Sequence, residues 1–265
     1  MRRSLLGLAT AFGSAAALAL TLAGSPAHAA EAALAPVDYV ALGDSYSSGA
    51  GAPPYTSGSC YRSNRSYAPL WAAGHDVSSF AFAACGGATT GSMTGQLDAL
   101  SAATDLVSIT IGGNDVNFAD TMVTCVIGSN SSCTSAVDEG IRTATTTLPG
   151  RLDATYAAIR SRAPGATVVV LGYPRLLEPN GSCLTATKRA ALNRGADALH
   201  GVISARAAAA GFRYVDARPH FGGHGACGSA PWINRFSIFQ AVESFHPNAA
   251  GYSQGYLALL TGITG

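Results

Sequence analysis

Four positions in this chain carry groups that suit attack on an ester carbonyl. Ser45, Gly87 and Asn114 each lie just beyond a short apolar stretch, and His246 precedes the last helical segment. A serine hydroxyl becomes a nucleophile when a base takes its proton, and N–H donors stabilise the oxyanion that forms. We therefore expect Ser45 to be the nucleophile and His246 the base. The backbone N–H groups of Ser45 and Gly87, together with the side-chain amide of Asn114, are the expected oxyanion donors. A glycine suits position 87 because a side chain there would crowd the acyl carbonyl.

The elements that must position these groups alternate between strands and helices. Strands are predicted at residues 39–42, 79–84, 106–111, 167–171 and 212–215. Helices are predicted at 67–73, 93–100, 118–162, 185–210 and 251–260, the third interrupted by a loop at 128–133 and by a break at Pro149-Gly150. Such alternation is typical of an α/β fold with a parallel sheet covered on both faces. The carboxyl ends of parallel strands share one edge, so Ser45, Gly87 and Asn114 should meet there. A long preceding loop lets His246 reach the same edge.

The N-terminus has the three parts of a secretory signal. Arg2 and Arg3 supply positive charge, residues 5–22 are apolar, and Ala27-His28-Ala29 resembles a cleavage site. We expect residues 1–29 to be removed and residues 30–265 to form a single domain. No later segment is apolar enough to span a bilayer, so the protein is expected to be secreted.

Charge and cysteine content narrow the classes of function. Charged residues make up 12% of the chain and the formal net charge is +1, which argues against nucleic acid or an anionic membrane surface as a partner. The six cysteines of an exported chain indicate three disulfides, and the residues alone allow fifteen pairings. No close Cys/His grouping suggests a metal site. We expect no metal or other cofactor, and a monomer.

Four sequence blocks carry a resemblance to a known family. They are Gly43-Asp44-Ser45, Gly87, Gly112-Gly113-Asn114-Asp115 and Glu243-Ser244-Phe245-His246-Pro247. Over residues 38–262 the chain resembles the SGNH or GDSL hydrolases, and most of all their secreted actinobacterial lipase, esterase and phospholipase branch. The resemblance implies a three-layer α/β/α fold with a flavodoxin-like five-stranded parallel sheet, an acyl-serine intermediate and no metal. It also implies three sequential disulfides: Cys60–Cys85, Cys125–Cys133 and Cys183–Cys227.

Two positions depart from the family pattern. The second block commonly reads Cys-Ser-Gly in this branch, but here it is Cys85-Gly86-Gly87. The family's aspartate three residues before the histidine is here Glu243. Its carboxylate would accept a hydrogen bond from the imidazole only if the tight turn accommodates the extra methylene. A backbone carbonyl of the same turn, at Glu243 or Ser244, is the alternative, and it is the one we favour.

The sequence thus predicts a secreted serine carboxylic-ester hydrolase acting on lipid or other esters, of the lipase, esterase or phospholipase A1 type. Two alternatives stay open: a polysaccharide O-acetyl esterase, and a catalytically silent cell-envelope or carbohydrate-binding protein. The presence of all four catalytic parts speaks against the second. The stretch 251–255 also matches the G-x-S-x-G elbow of α/β-hydrolases. No histidine follows Ser253, so we do not expect it to be the nucleophile.

Overall fold

Five apolar stretches form the strands of one parallel sheet in a computed structural model that describes residues 35–265. The predicted signal peptide lies outside the described residues. The strands are β1 (Val37–Gly43), β2 (Val77–Phe82), β3 (Leu106–Thr110), β4 (Thr167–Leu171) and β5 (Arg213–Val215). Their spatial order is β2-β1-β3-β4-β5, and every neighbouring pair is parallel. The central strands β1, β3 and β4 are almost wholly buried, as their runs of apolar residues predict.

Helices complete a three-layer α/β/α fold of the flavodoxin-like type, as predicted. Their bounds are α1 (Ser45–Ser48), α2 (Tyr67–Gly74), α3 (Thr94–Leu97), α4 (Phe118–Ile127), α5 (Asn130–Thr146), α6 (Leu148–Arg162), α7 (Ala186–Ala209), α8 (Ala217–His220) and α9 (Leu257–Thr264). Helices α2 and α9 pack against each other, and α5, α6 and α7 form a second packed group. None of the helices in residues 35–265 is long and apolar enough to cross a membrane.

Two predicted interruptions of the long helical region differ from the structure. Instead of a loop at 128–133, only two residues separate α4 from α5, because the Ser129 side chain caps α5 by accepting from the Ser132 amide. Cys133 therefore lies inside α5. The Pro149-Gly150 pair does not break a helix but lies in the first turn of α6, where the missing N–H of proline costs no hydrogen bond.

The C-terminal helix is also more complex than predicted. A π-helical turn, Gly251–Tyr256, precedes α9, which runs to Thr264. The turn buries Tyr252 and Tyr256 completely. The Tyr252 hydroxyl donates to the carbonyl oxygens of Ala50, at 2.9 Å, and Ser45, at 3.2 Å. The π-helical turn thus supports the segment that carries Ser45.

The six cysteines form the three expected sequential pairs: Cys60–Cys85, Cys125–Cys133 and Cys183–Cys227. The first pair ties the loop that follows α1 to the end of β2, next to Gly87. The second joins α4 to α5. The third joins the segments that precede α7 and follow α8.

Candidate active site

Ser45 begins α1 directly after β1, and its neighbours explain the abrupt turn. Gly43 has a φ of +124°, and a Cβ there would lie 2.5 Å from the carbonyl oxygen of Thr110. Only glycine fits this conformation and this close approach. Asp44 then caps the helix, its carboxylate accepting from the Tyr46 amide at 2.9 Å. The turn leaves Ser45 partly exposed at the carboxyl edge of the sheet.

A buried acid lies directly beneath this turn. The Asp44 carboxylate accepts a hydrogen bond from the Tyr173 hydroxyl, and that hydroxyl accepts from the Gly113 amide at 2.9 Å. Burial raises the pKa of Asp44 to about 7, although its hydrogen bonds oppose the change. Tyr173 is not among the site residues that the sequence predicts. Its position in Gly172-Tyr173-Pro174, just after β4, was the available signal because it places the ring at the same edge as Ser45.

His246 lies beside Ser45, with Nε2 2.8 Å from the serine Oγ. The other ring nitrogen, Nδ1, is 3.0 Å from the backbone carbonyl oxygen of Ser244. A carbonyl only accepts, so Nδ1 carries the proton and Nε2 is left as the acceptor for the Ser45 hydroxyl. Burial lowers the pKa of His246 to about 4, with the Ser244 carbonyl partly opposing the change. The imidazole is therefore neutral, and able to accept a proton, at pH 7.

The Glu243 carboxylate has a different partner. It accepts from the Tyr55 hydroxyl, at 3.3 Å, rather than from the imidazole. Phe245, between the carbonyl and the histidine, has a φ of +60°, which turns the chain tightly enough for the Ser244 carbonyl to reach the ring two residues later. Of the two groups considered from the sequence, the structure places the backbone carbonyl, not the carboxylate, against His246.

Long-range contacts hold the turn that bears His246. The Tyr46 hydroxyl donates to the Phe245 carbonyl at 2.6 Å, and the Asn234 amide donates to the His246 carbonyl at 2.9 Å. Gly51 has a φ of +99°, and a Cβ there would lie 2.8 Å from the His246 Cβ. The segment after α1 and the His246 turn therefore approach each other closely, which brings together residues 201 positions apart.

Asn114 lies near Ser45 and is bonded to the loop that carries Gly87. One N–H of the Asn114 amide donates to the Ala88 carbonyl at 2.8 Å, which leaves its second N–H available. Within residues 35–265, neither the Ser45 amide nor the Gly87 amide donates to a protein acceptor. Gly87 has a φ of +81°, and this backbone conformation by itself favours glycine. A Cβ at this position would meet no protein atom within 4 Å, so the crowding expected from the sequence concerns only a bound acyl group.

Buried hydrogen bonds fix the segments that carry these donors. Asp115 accepts from Thr90, at 2.6 Å from the hydroxyl and 3.0 Å from the amide, and so joins the loop after β2 to the end of β3. The glycine that departs from the family pattern, Gly86, donates its amide to Cys60 at 2.9 Å. A Cβ at that position would lie 2.9 Å from the Tyr61 ring. A larger residue at position 86 would therefore require the Tyr61 ring to shift.

An apolar cleft opens beside Ser45. Its volume is about 70 Å³, and it runs between α4, α5 and α7. Its lining includes Phe118, Ile141, Leu176, Leu192 and Leu199. Apart from the catalytic edge itself, the lining is almost entirely hydrocarbon, so the cleft suits an alkyl chain.

The second serine motif has no such setting. Ser253 lies in the π-helical turn, and its hydroxyl donates to the Ala249 carbonyl of the preceding turn at 2.9 Å. A serine that bonds its own helix in this way is a structural residue.

Comparison with known proteins bears on the family to which this chain belongs. The sequence profile of the GDSL-like lipase/acylhydrolase family matches residues 41–254. The chain belongs to this family. It is 50% identical to Lipase 1 of Streptomyces coelicolor, with 99% of each chain covered. The prediction of a GDSL-type ester hydrolase is thus confirmed, and a catalytically silent binding protein is not supported.

Two solved structures of the family are also close. An extracellular lipase from Streptomyces rimosus is 49% identical and superposes with a TM-score of 0.83, covering 86% of this chain and all of that chain. A phospholipase A1 from Streptomyces albidoflavus is 47% identical with a TM-score of 0.84, covering 86% of this chain and 99% of that chain. They confirm the predicted fold.

Proposed function

We propose that this family member hydrolyses the carboxylic esters of lipids through a Ser45–His246 dyad. The observation that carries the proposal is the 2.8 Å contact between Ser45 Oγ and His246 Nε2, made at the mouth of an apolar cleft. Ser45 attacks the acyl carbonyl while Nε2 takes its proton, and the Ser244 carbonyl holds the imidazole in the required tautomer. The protonated imidazole then gives its proton to the departing alcohol. Water attacks the acyl-serine by the reverse path and restores the dyad.

Three donors are proposed to stabilise the oxyanion of each tetrahedral intermediate. They are the backbone amides of Ser45 and Gly87 and the free N–H of the Asn114 side chain. Their hydrogen-bonding capacity supports this role, since none of the three N–H groups is committed to a protein acceptor in residues 35–265. Such preorganised donors typically lower the barrier by several kcal/mol, about 3–4 kcal/mol for one donor in a serine protease.

The cleft favours a lipid over a polysaccharide ester. A sugar chain needs hydrogen-bonding partners, whereas the walls beside Ser45 are apolar. The similar lipases and the phospholipase A1 support the same substrate class. We infer that the acyl chain occupies this cleft with its carbonyl at Ser45.

Export and chain organisation belong to the same proposal. We propose that residues 1–29 are removed as a signal peptide and that residues 30–265 act outside the cell as one monomeric domain. Support comes from the pattern of the N-terminal residues, the three disulfides and the extracellular relative. A monomer is consistent with all the proposed catalytic groups being supplied by one chain.

A substrate panel tests the proposed specificity. Hydrolysis is measured on aryl esters of increasing acyl length, on phosphatidylcholine and on acetylated xylan, with Ser45→Ala as the inactive control. We expect activity to rise from acetyl to medium acyl chains and to include phosphatidylcholine. High activity on acetylated xylan with none on longer esters would favour the polysaccharide alternative.

A further inference from the structure

An exposed apolar loop precedes the His246 turn. Within residues 35–265 five large apolar side chains are exposed, and three of them, Phe236, Ile238 and Phe239, lie within four residues of one another. Ile238 is 71% exposed and Phe239 is 91% exposed. We call residues 236–242 the apolar loop. A cluster of this kind on a soluble domain marks a surface that meets an apolar partner.

The apolar loop is continuous with the catalytic turn. The Ser237 amide donates to the Ser244 hydroxyl at 2.9 Å, and the Ser244 amide donates to the Gln240 carbonyl at 3.2 Å. The Phe236 ring stacks on Phe245 with 6.4 Å between centroids. Ser244 is also the residue whose carbonyl orients His246. The apolar loop is therefore attached to the turn that carries and orients His246.

Charge indicates the chemistry of the partner. Between Arg235 and Glu243 the sequence is Phe-Ser-Ile-Phe-Gln-Ala-Val, with no ionisable side chain. The two most exposed members are an isoleucine and a phenylalanine. These side chains lower their free energy when their apolar surface is removed from water. A hydrocarbon layer allows this, whereas a charged surface or a sugar does not.

The substrate cleft adjoins the same histidine. Phe118, at the start of α4, lines the cleft, and its ring centroid lies 6.5 Å from that of His246. The apolar loop and the acyl cleft thus both border the catalytic turn. A lipid layer that contacts the loop would present its ester groups close to the cleft mouth.

We propose that the apolar loop is an interfacial binding surface, and that Ile238 and Phe239 enter the outer hydrocarbon region of a lipid aggregate. This rests on the proposed function, since it supplies the lipid-acting site with its substrate. Binding is driven by the apolar side chains, with no contribution required from surface charge. The loop concentrates the enzyme on its substrate without taking part in bond cleavage.

The test separates lipid binding from catalysis. Flotation measures how much protein partitions into zwitterionic phosphatidylcholine vesicles. The protein is residues 30–265 carrying Ser45→Ala, so that no lipid is hydrolysed. Ile238→Ser or Phe239→Ser should each weaken partition about tenfold, equivalent to about 1.4 kcal/mol. In the protein that keeps its native Ser45, the same substitutions should lower the hydrolysis of vesicle lipid by a similar factor. They should change the hydrolysis of a soluble short-chain aryl ester less than about twofold.

A matched control lies on α4. Ile127 is 79% exposed and, at 1.5 Å per residue, lies about 14 Å along the helix axis from Phe118. Ile127→Ser should leave vesicle partition unchanged. Equal loss from Ile127→Ser and Ile238→Ser, or unchanged partition in both loop variants, would overturn the proposal. A dimer of the native chain that Phe239→Ser dissociates would assign the loop to self-association and also overturn it. Failure of soluble-ester hydrolysis in the native chain would instead count against the proposed function.

Discussion

Replacing Glu243 separates the two ways of orienting His246. The Glu243 carboxylate accepts from the Tyr55 hydroxyl at 3.3 Å, while the imidazole Nδ1 faces the Ser244 carbonyl at 3.0 Å. Tyr55 in turn accepts from the Gly51 amide at 3.2 Å, and Gly51 lies against the His246 turn. The Glu243 carboxylate therefore acts on the imidazole only indirectly, through Tyr55 and Gly51.

The size of the effect follows from these contacts. Glu243→Gln keeps an oxygen that accepts from Tyr55, so we expect kcat/KM to fall by less than about threefold, or about 0.6 kcal/mol. Glu243→Ala removes one hydrogen bond, which contributes about 0.5–1.5 kcal/mol, so the loss should be about 2- to 13-fold. A carboxylate that oriented the imidazole directly would matter far more. In serine proteases the corresponding Asp-to-Asn change costs about 10⁴-fold in kcat.

The assay is kcat/KM on a soluble aryl ester at pH 7, with circular dichroism and melting to confirm folding. Glu139→Gln is the matched control for loss of a surface charge, because Glu139 pairs with Arg142 on the exposed side of α5. A loss above a thousandfold in folded Glu243→Gln would refute the dyad with its carbonyl acceptor.

Three further predictions concern pH, the oxyanion donors and the disulfides. Because only neutral His246 accepts the Ser45 proton, kcat/KM should fall as pH drops, with a midpoint near pH 4. The same midpoint should be found in Asp44→Asn, and a midpoint near pH 6.5 would contradict the effect of burial on the His246 pKa. Asn114→Ala should lower kcat about 10²- to 10³-fold with little change in KM, and a loss below threefold would remove the side chain from the oxyanion site. By chemical denaturation, removing Cys125–Cys133, which spans 8 residues, should lower the free energy of unfolding by about 2.5 kcal/mol, and removing Cys183–Cys227, which spans 44 residues, by about 4 kcal/mol. A larger loss from removing the shorter disulfide loop would contradict the chain-entropy estimate.

The sheet was predictable because its signals are local. Apolar runs such as Val168-Val169-Val170 are typical of strands buried on both faces, and the breaks after β1, β2 and β3 carry Ser45, Gly87 and Asn114. Parallel pairing then brings these breaks to one edge whatever their distance in sequence. The sequence alone therefore predicts that these three positions lie at the same edge of the sheet.

The orientation of His246 was harder to predict. Residue types indicate that Glu243 is acidic, but they do not reveal that Phe245 takes a φ of +60° or that Tyr46 donates to its carbonyl. Those features arise from contacts across nearly 200 residues of chain. Only the folded turn decides between carboxylate and carbonyl.

Two other misses have similar causes. Pro149-Gly150 suggests a break equally well at the end or at the start of a helix, and only packing reveals that α6 begins there. Tyr173 looked like an ordinary residue after β4. Its link between Asp44 and Gly113 depends on tertiary contacts that no local pattern encodes.

The most direct test of the central claim is covalent labelling of the nucleophile. The native chain is treated with a fluorophosphonate, and the modified residue is located by peptide mass spectrometry. We predict one adduct, on Ser45, that forms much more slowly in His246→Ala and is absent from folded Ser45→Ala. An adduct on Ser253, or undiminished labelling of Ser45 in His246→Ala, would contradict the Ser45–His246 dyad.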